Sequence, residues 1–363
     1  MNLSASNTGI IFESLFISFA VCLLTALAAT RFARRIDLMD YPNSEPHKHH
    51  TRPVPISGGM ALFSELLILL LIFHQNLSKE FLGLSGAALI LFGFALLDDI
   101  KALNWKVKLA GQIIAASVLI ISGTQTHLFE AQLFASLLNP WLRRVCDIFL
   151  TLFWVVFITN AFNLVDSADG LMLGIASWAE GFFIIAALDA GQGSLALYTS
   201  FLLGGTLALS FFNSHPAFLF MGDSGAQVIG FLLSAIAIMY NPAELLQKNT
   251  WFLPIMMLGV PIFDTTMVTI SRWRRGEHFY HSGTDHTFHR LLKMGFSSHQ
   301  ASAFMHLTCF ALQSLSFLAI SRSALAANLI FAFTVLFGVF GIVFFEREDW
   351  WEPIKRIFNI GGH

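Results

Sequence analysis

The chain has 363 residues, of which 55% are hydrophobic and only 12% are charged, with a formal net charge of −2. Because soluble globular proteins carry about twice that charged fraction, the composition excludes a soluble enzyme and predicts one transmembrane domain over residues 1–363. The near-neutral charge gives no indication of a nucleic-acid partner, and none is expected. The three cysteines lie within or at the edge of apolar segments, which argues against a disulfide framework or a thiolate metal site.

Runs of about 20 apolar residues predict membrane-spanning helices, and eleven such segments follow one another along the chain. They lie near residues 9–30, 56–74, 81–97, 107–122, 145–165, 170–189, 194–212, 226–240, 251–271, 300–320 and 324–345. The first is too long for the core of a signal peptide and has no basic stretch before it, so a membrane span is expected there. The predicted fold is therefore all-α, a polytopic integral membrane protein with about eleven transmembrane helices.

Lysine and arginine residues are unevenly distributed between the two sets of loops that alternate with these helices. If the N-terminus lies outside the cell, 16 of the 21 Lys and Arg residues fall on the cytoplasmic side. The positive-inside rule then predicts an N-out, C-in orientation, with residues 346–363 as a cytoplasmic tail.

The first predicted inner loop, residues 40–59, contains Lys48, His49, His50 and Arg52, which suit the binding of a diphosphate. A basic loop that holds lipid headgroups beside the membrane is the alternative. The pair Gly58-Gly59 would let the backbone approach a neighbour closely as the second helix begins.

The second inner loop opens with the adjacent pair Asp98-Asp99. Two carboxylates at the end of a span can bind Mg²⁺ through oxygen, or one of them can act as a general base. Taken alone, a solvated helix end explains the pair equally well.

The third inner loop reads Asn-Ala-Phe-Asn-Leu-Val-Asp-Ser-Ala-Asp-Gly-Leu from Asn160 to Leu171. Asn160, Asn163, Asp166 and Asp169 recur every three residues, so neighbouring members share roughly one face of a helix. Such groups are costly beside hydrocarbon unless they face protein, water or an ion. A polar helix end that enters a loop is the alternative.

The fourth inner loop, residues 213–226, places Asp223 between Gly222 and Gly225. Glycines beside a carboxylate let the backbone come close to a phosphate or a metal ion. A simple turn before the next helix is the alternative.

The fifth inner loop, residues 272–292, holds His286 and His289 with Arg290 beside them. Arg and neutral His suit phosphate and nucleotide oxygens, whereas zinc is disfavoured because no Cys or third well-placed ligand accompanies the histidines. Asp264 lies inside the ninth predicted span, where a carboxylate is expected to be functional or paired with an inner-loop cation. A hydrogen bond to a neighbouring helix is the alternative for Asp264.

Together, these loops resemble the polyprenyl-phosphate N-acetylhexosamine-1-phosphate transferase family of bacterial membranes, over nearly the whole chain. The most specific match, Asn-x-x-Asn-x-x-Asp-x-x-Asp-Gly-Leu, is complete from Asn160 to Leu171. The other matches are Pro42-Asn43, Lys48, His50, Pro53, Pro55, Gly58-Gly59, Asp98-Asp99, Lys108-Leu109, Gln112, Asn213, Pro216-Ala217, Met221 to Gly225, and Pro261 with Asp264. The last loop departs most, because relatives often have His-x-His-His where this chain has Phe288 before His289.

The resemblance implies an active site at the cytoplasmic ends of the helices. Asp98 and Asp99 are then the catalytic residues, with Asp98 deprotonating or orienting a lipid phosphate. Mg²⁺, with Mn²⁺ as an alternative, would be bound by Asp223 with help from Asp99 or Asp166. The implied substrate-binding residues are Lys48, His50, Asn160, Asn163, Asp166, Asp169, Asn213, Asp264, His286, His289 and Arg290.

The family branch that the chain most resembles transfers GlcNAc-1-phosphate from UDP-GlcNAc to undecaprenyl phosphate and releases UMP. The implied partners are a UDP-N-acetylhexosamine, undecaprenyl phosphate and the lipid of the bacterial inner membrane, and a homodimer is left open. The product would be the first lipid-linked intermediate of a cell-surface polysaccharide, such as cell wall or lipopolysaccharide. Direct displacement and a covalent aspartyl intermediate both remain open.

Two alternatives to this function are retained. Another UDP-N-acetylhexosamine or UDP-MurNAc-pentapeptide could be the donor, although the triple His usual for the muramoyl branch is absent. A secondary transporter is the alternative class, which is disfavoured because the acidic residues cluster at inner helix ends rather than at the bilayer midplane.

Overall fold

The protein is described by a computed structural model, which covers residues 5–42, 52–74, 78–130, 134, 137–242, 250–278, 283–320 and 322–351. Thirteen α-helices are found within these ranges. They are α1 Ala5–Arg35, α2 Gly58–Ile72, α3 Lys79–Lys101, α4 Trp105–Ile121, α5 Pro140–Val165, α6 Leu171–Asp189, α7 Gly193–Asn213, α8 Gly222–Met239, α9 Leu253–Met257, α10 Gly259–Arg275, α11 Thr287–Lys293, α12 Ser298–Ala319 and α13 Ala324–Glu346. Two short strands, β1 Met39–Asp40 and β2 Val54–Pro55, complete the regular structure of these ranges together with a 3₁₀ turn at Glu348–Trp350.

The predicted all-α, polytopic membrane fold is confirmed. Ten of the eleven predicted segments each coincide with one helix and the ninth with two. Eight helices in the described ranges are long and apolar enough to cross a membrane: α1, α3, α5, α6, α7, α8, α12 and α13. Helices α2, α4 and α10 have only 15, 17 and 17 residues. The predicted ninth span is divided at Leu258 into α9 and α10. The number of spans and the N-out, C-in orientation remain predictions.

Small and hydroxyl residues bring α1 and α7 into close contact. A Cβ at Gly204 would lie 2.3 Å from the hydroxyl of Ser18, and that hydroxyl donates to the carbonyl of Phe201 at 2.6 Å. Ser14 and Ser200 share a second hydrogen bond of 2.6 Å across the same interface. Small residues with polar groups that bond between helices are how membrane helices associate without a hydrophobic driving force.

Helix α8 is the most buried of the long apolar helices and packs between α3, α5 and α2. Gly230 allows the approach to α5, because a Cβ there would lie 3.0 Å from the carbonyl oxygen of Ile158. The N-terminus of α8 therefore has a fixed position at one end of the bundle, where it meets the last turn of α3.

The first inner loop holds this end of α8 in place. Strands β1 and β2 form an antiparallel pair with Met39 opposite Pro55, and Ile56 then pairs with Phe220. The backbone amide of Gly58 donates to the carbonyl of Phe220 at 3.0 Å, and that of Gly59 donates to Met221 at 3.1 Å. The expected close backbone approach thus exists, and its partner is the turn that starts α8.

Candidate active site

Carboxylates from two helices meet one lysine and one asparagine where α3 ends and α8 begins. The ammonium of Lys108, in the first turn of α4, contacts the Oδ2 atom of Asp98 and lies 2.8 Å from Oδ2 of Asp223. Asn163, near the end of α5, donates to Oδ1 of Asp223 at 3.0 Å. The structure therefore brings together residues of three predicted inner loops, separated in sequence by up to 125 positions.

The two adjacent aspartates of α3 have different partners. Asp99 accepts the backbone N–H of Asp223 at 2.7 Å through Oδ1 and that of Ser224 at 3.1 Å through Oδ2, so it caps α8 from another helix. Asp98 accepts the backbone N–H of Leu103 at 2.6 Å through Oδ1, while its Oδ2 faces Lys108. A Cβ at Gly222, where φ is +67°, would lie 2.8 Å from both Asp99 oxygens, so this contact requires glycine.

The side-chain amides of Asn160, Gln112 and Gln227 form a hydrogen-bond network that ends at Asp223. Asn160 and Gln112 exchange hydrogen bonds of 2.8 and 3.2 Å, and Gln112 also donates to the carbonyl of Gln227 at 3.0 Å. Gln227 in turn donates to Oδ2 of Asp223 at 3.4 Å. Asn160 was expected to bind substrate, but its Nδ2 donates to Gln112 and to the carbonyl of Val156.

The loop after α5 is tied to the loop before α8. Asn213 is buried, accepts the backbone N–H of Gly170 at 2.9 Å and donates to the carbonyl of Leu219 at 3.0 Å. Asp169 lies 3.0 Å from Nδ1 of His215 and accepts the backbone N–H of Ala217. Asn213 and Asp169, both predicted substrate ligands, thus connect the two loops by hydrogen bonds. These bonds hold the chain on the C-terminal side of Asp166, at the end of α5.

Asp166 and Asp223 are the carboxylates of this site that would hold a divalent cation. Burial raises the pKa of Asp166 to about 7, and the nearby carboxylates of Asp223, Asp169 and Asp99 add to that rise. Among the described residues, no group of three His, Cys, Asp or Glu side chains is arranged to hold a metal ion. Mg²⁺ commonly takes one or two carboxylates and completes its shell with water and substrate phosphates, and Asp223 and Asp166 are the carboxylates that would supply them here.

A second group of predicted residues surrounds Asp264. Asp264 is buried in α10, lies 2.8 Å from Nδ1 of His286 and accepts the backbone N–H of Thr287 at 2.6 Å. The ring of His289 follows at 6.1 Å from that of His286, whereas Phe288 is buried in the hydrophobic core. Asp264 is thus paired with an inner-loop residue, and it fixes where α11 starts.

Arg290 uses its guanidinium to join three elements. It is buried and donates to the carbonyl of Phe345 at 2.6 Å, to Glu346 at 2.8 Å and to Ser271 at 2.8 Å, while Nε donates to the carbonyl of Asp285. These bonds fasten α11 to the C-terminal end of α13 and to α10. The geometry of Arg290 is that of a residue that positions the last loop.

Lys48 and His50 lie outside the described residues, as do residues 352–363 of the predicted tail, so their expected roles stay predictions. Lys108, Gln112 and Gln227 were given no role from the sequence, although they are central to the geometry. The spacing of these residues could have indicated their role. Lys108 and Gln112 are four residues apart in an otherwise apolar helix, as are Asp223 and Gln227, and this spacing places the two members of each pair on one face.

Comparison with known proteins identifies relatives over most of the chain. A family model described as glycosyl transferase family 4 matches residues 81–241, which include both α3 aspartates and Asp223. The chain is 30% identical to the probable undecaprenyl-phosphate N-acetylglucosaminyl 1-phosphate transferase of Bacillus subtilis (strain 168), over 81% of this chain and 82% of that protein. It is also 30% identical to the decaprenyl-phosphate N-acetylglucosaminephosphotransferase of Mycobacterium leprae (78% of this chain, 79% of the relative). Identity to the undecaprenyl-phosphate alpha-N-acetylglucosaminyl 1-phosphate transferase of Escherichia coli (strain K12) is 26% (88% and 85%).

Proposed function

Because the chain belongs to glycosyl transferase family 4, within its polyprenyl-phosphate N-acetylglucosamine-1-phosphate transferases, we propose that it transfers GlcNAc-1-phosphate from UDP-GlcNAc to undecaprenyl phosphate. An oxygen of the lipid phosphate attacks the phosphorus that carries the sugar, the bond to the uridine-linked phosphate breaks, and UMP leaves. The products are UMP and undecaprenyl-diphosphate-GlcNAc. The observation that carries the proposal is the meeting of Asp98, Asp223 and Lys108 at the ends of membrane helices.

Charge neutralisation is the main physical problem of this reaction, since both substrates are anions. A bound Mg²⁺ ion would supply Lewis-acid stabilisation of the diphosphate and of the departing UMP. Asp223, held by Lys108 and Asn163, and Asp166 are the residues that would hold that ion through their carboxylates. The Lys108 side chain is more exposed than those of Asp98 and Asp223, with 35% accessible against 3% and 27%, so its ammonium can turn from the carboxylates to an incoming phosphate.

Asp98 is the residue proposed to prepare the acceptor. Its Oδ1 is fixed by the backbone of Leu103, while Oδ2 faces Lys108 and the site. That oxygen can take the proton of a monoprotonated lipid phosphate or orient it for in-line attack. Asp99 acts differently, because both of its oxygens hold the start of α8. We therefore propose direct displacement, with Asp98 as base and Asp99 as a positioning residue.

The lipid acceptor explains why the site stands at the ends of apolar helices. Undecaprenyl phosphate keeps its chain in the bilayer, and its headgroup reaches the carboxylates without leaving the interface. The excess of Lys and Arg in the predicted inner loops supports placing this end of the bundle on the cytoplasmic side of the bacterial inner membrane, where UDP-sugars are available.

The test uses the full chain purified in detergent, with undecaprenyl phosphate, Mg²⁺ and one UDP-sugar at a time. UMP release is expected with UDP-GlcNAc, together with formation of a lipid-linked sugar diphosphate. UDP-GalNAc and UDP-MurNAc-pentapeptide serve as competing donors, and faster turnover of either would replace the proposed sugar. No UMP release with any of the three donors would overturn the proposed reaction.

A further inference from the structure

Gln227 lies one helical turn after Asp223 on α8, and nothing in the sequence motifs gives it a role. It is buried, and its amide Nε2 donates to Oδ2 of Asp223 at 3.4 Å. Its own carbonyl accepts from Nε2 of Gln112 at 3.0 Å, and the carbonyl of Gln112 accepts from Nδ2 of Asn160 at 2.8 Å. Gln112 also donates back to Asn160 at 3.2 Å, whereas the two bonds from Gln112 to Gln227 and from Gln227 to Asp223 both point towards the carboxylate of Asp223.

Burial and direction give this chain of amides a physical effect. Buried amides must be paired to avoid a desolvation cost, so the three side chains hold each other in single orientations. Consecutive hydrogen bonds that point the same way polarise each other, which strengthens the last donor. The last donor is Gln227, and its acceptor is the oxygen of Asp223 that also contacts Lys108.

Lys108 and Gln227 share Oδ2 of Asp223 but differ in mobility. The lysine side chain is 35% accessible, whereas only 3% of Gln227 is accessible. When Lys108 turns to a phosphate, Gln227 and Asn163 remain as the side chains that hold the two carboxylate oxygens. The orientation of Asp223 during the reaction then depends on the buried amide.

We infer that Gln227 is a positioning residue for Asp223, and that it determines how tightly the site binds a divalent cation. The inference rests on the proposed function, because that function makes Asp223 a ligand of the cation. Partners behind a metal ligand typically change metal affinity by about 10- to 100-fold when they are removed. A residue that only fills space would change stability and leave metal affinity unaltered.

The test compares the wild-type chain with Gln227→Met, which keeps the volume of the side chain and removes its amide. Free Mn²⁺ is measured by electron paramagnetic resonance in detergent, with and without UDP-GlcNAc. We expect about a 10-fold loss of Mn²⁺ affinity, and a similar rise in the Mg²⁺ concentration that gives half-maximal UMP release. The loss of turnover is expected to be largest at limiting Mg²⁺ and to become smaller as Mg²⁺ approaches saturation, because the reacting groups are unchanged.

Gln313→Met is the matched control. Gln313 is a fully buried glutamine of α12 whose Nε2 donates to the carbonyl of Met257 at 3.1 Å, so its loss alters stability without touching Asp223. Gln112→Met provides a second variant that acts through Gln227, and we expect a smaller loss of Mn²⁺ affinity in the same direction. If Gln227→Met lowers Tm but binds Mn²⁺ as wild type does, the inference is overturned.

The two proposals fail in distinguishable ways. A wild-type chain that binds Mn²⁺ but releases no UMP would remove the proposed reaction, and the Mn²⁺ affinity of Gln227→Met would still decide the inference. A wild-type chain that releases UMP but binds no Mn²⁺, with or without UDP-GlcNAc, would overturn the inference alone.

Discussion

Oδ1 of Asp99 lies 2.7 Å from the backbone nitrogen of Asp223 and accepts its hydrogen bond, although the residues are 124 positions apart. The last turn of one membrane helix thereby fixes the first turn of another, and the fixed residue is the proposed ligand of the cation. The side chain of Asp223 points its two oxygens to Asn163, Lys108 and Gln227. Backbone and side chain of Asp223 are thus held by different elements.

The first prediction separates the capping role of Asp99 from a role as metal ligand. Asp99→Ala removes the acceptor of two backbone amides and is expected to destabilise the protein by about 1–2 kcal/mol, as the loss of a helix cap does. Asp99→Asn keeps one acceptor oxygen and should be less destabilised. Both changes are measured as shifts of thermal unfolding in detergent.

Metal binding by Asp99→Asn decides between the two roles. If Asp99 acts as a cap, its Mn²⁺ affinity should remain within about 10-fold of wild type, since outer partners have effects of that size. A complete loss of Mn²⁺ binding with an unchanged Tm would show that Asp99 is itself a ligand, and would contradict the assignment made from its backbone contacts.

The second prediction concerns the carboxylate at the centre of the site. Asp223→Asn should abolish UMP release, because the neutral amide offers one weak oxygen to the cation and leaves Lys108 facing Asp98 alone. The variant should still elute as a folded protein, since the backbone amide of residue 223 keeps its bond to Asp99. Asp349→Asn is the control, because Asp349 pairs with Arg347 in an exposed turn, and its turnover should match wild type. Normal turnover by Asp223→Asn would exclude Asp223 from cation binding.

The third prediction concerns Arg290, which the sequence alone suggested as a phosphate ligand. Arg290→Lys should destabilise the protein by about 2–4 kcal/mol, because one ammonium cannot replace a planar guanidinium that serves acceptors on three elements. Thermal unfolding measures the loss, and limited proteolysis is expected to cut the last inner loop faster than in wild type.

Arg274→Lys is a matched control for that change, since Arg274 pairs with the same Glu346 but has 59% of its side chain accessible. Its effect on unfolding should stay within about 0.5 kcal/mol. If Arg290→Lys had the Tm of wild type but a raised KM for UDP-GlcNAc, Arg290 would be a substrate ligand and not a positioning residue.

The helices were predictable because an apolar run long enough to cross a bilayer determines a helix by itself. The division of the ninth segment into two helices at Leu258 was not predictable, because the apolar sequence continues through Leu258 without a break. The meeting of Asp98 and Asp223 followed from assigning their loops to one side of the membrane. The cap formed by Asp99 and the bond from Gln227 depend on contacts between helices, and periodicity along a single helix carries no information about them.

The last prediction tests the contact that holds the start of α8. A Cβ at Gly59 would lie 2.2 Å from the hydroxyl of Ser224 and 2.5 Å from the backbone nitrogen of Gly225. Gly59→Ala must therefore push the first inner loop away from the turn that carries Asp223, and a loss of both thermal stability and turnover is expected. Gly93→Ala is the control, because a Cβ at Gly93 in α3 meets nothing within 4 Å, and there alanine should stabilise the helix by up to about 1 kcal/mol. Equal stability and activity of the two variants would mean that the loop and α8 are not in contact, which would remove the mechanical support proposed for the site.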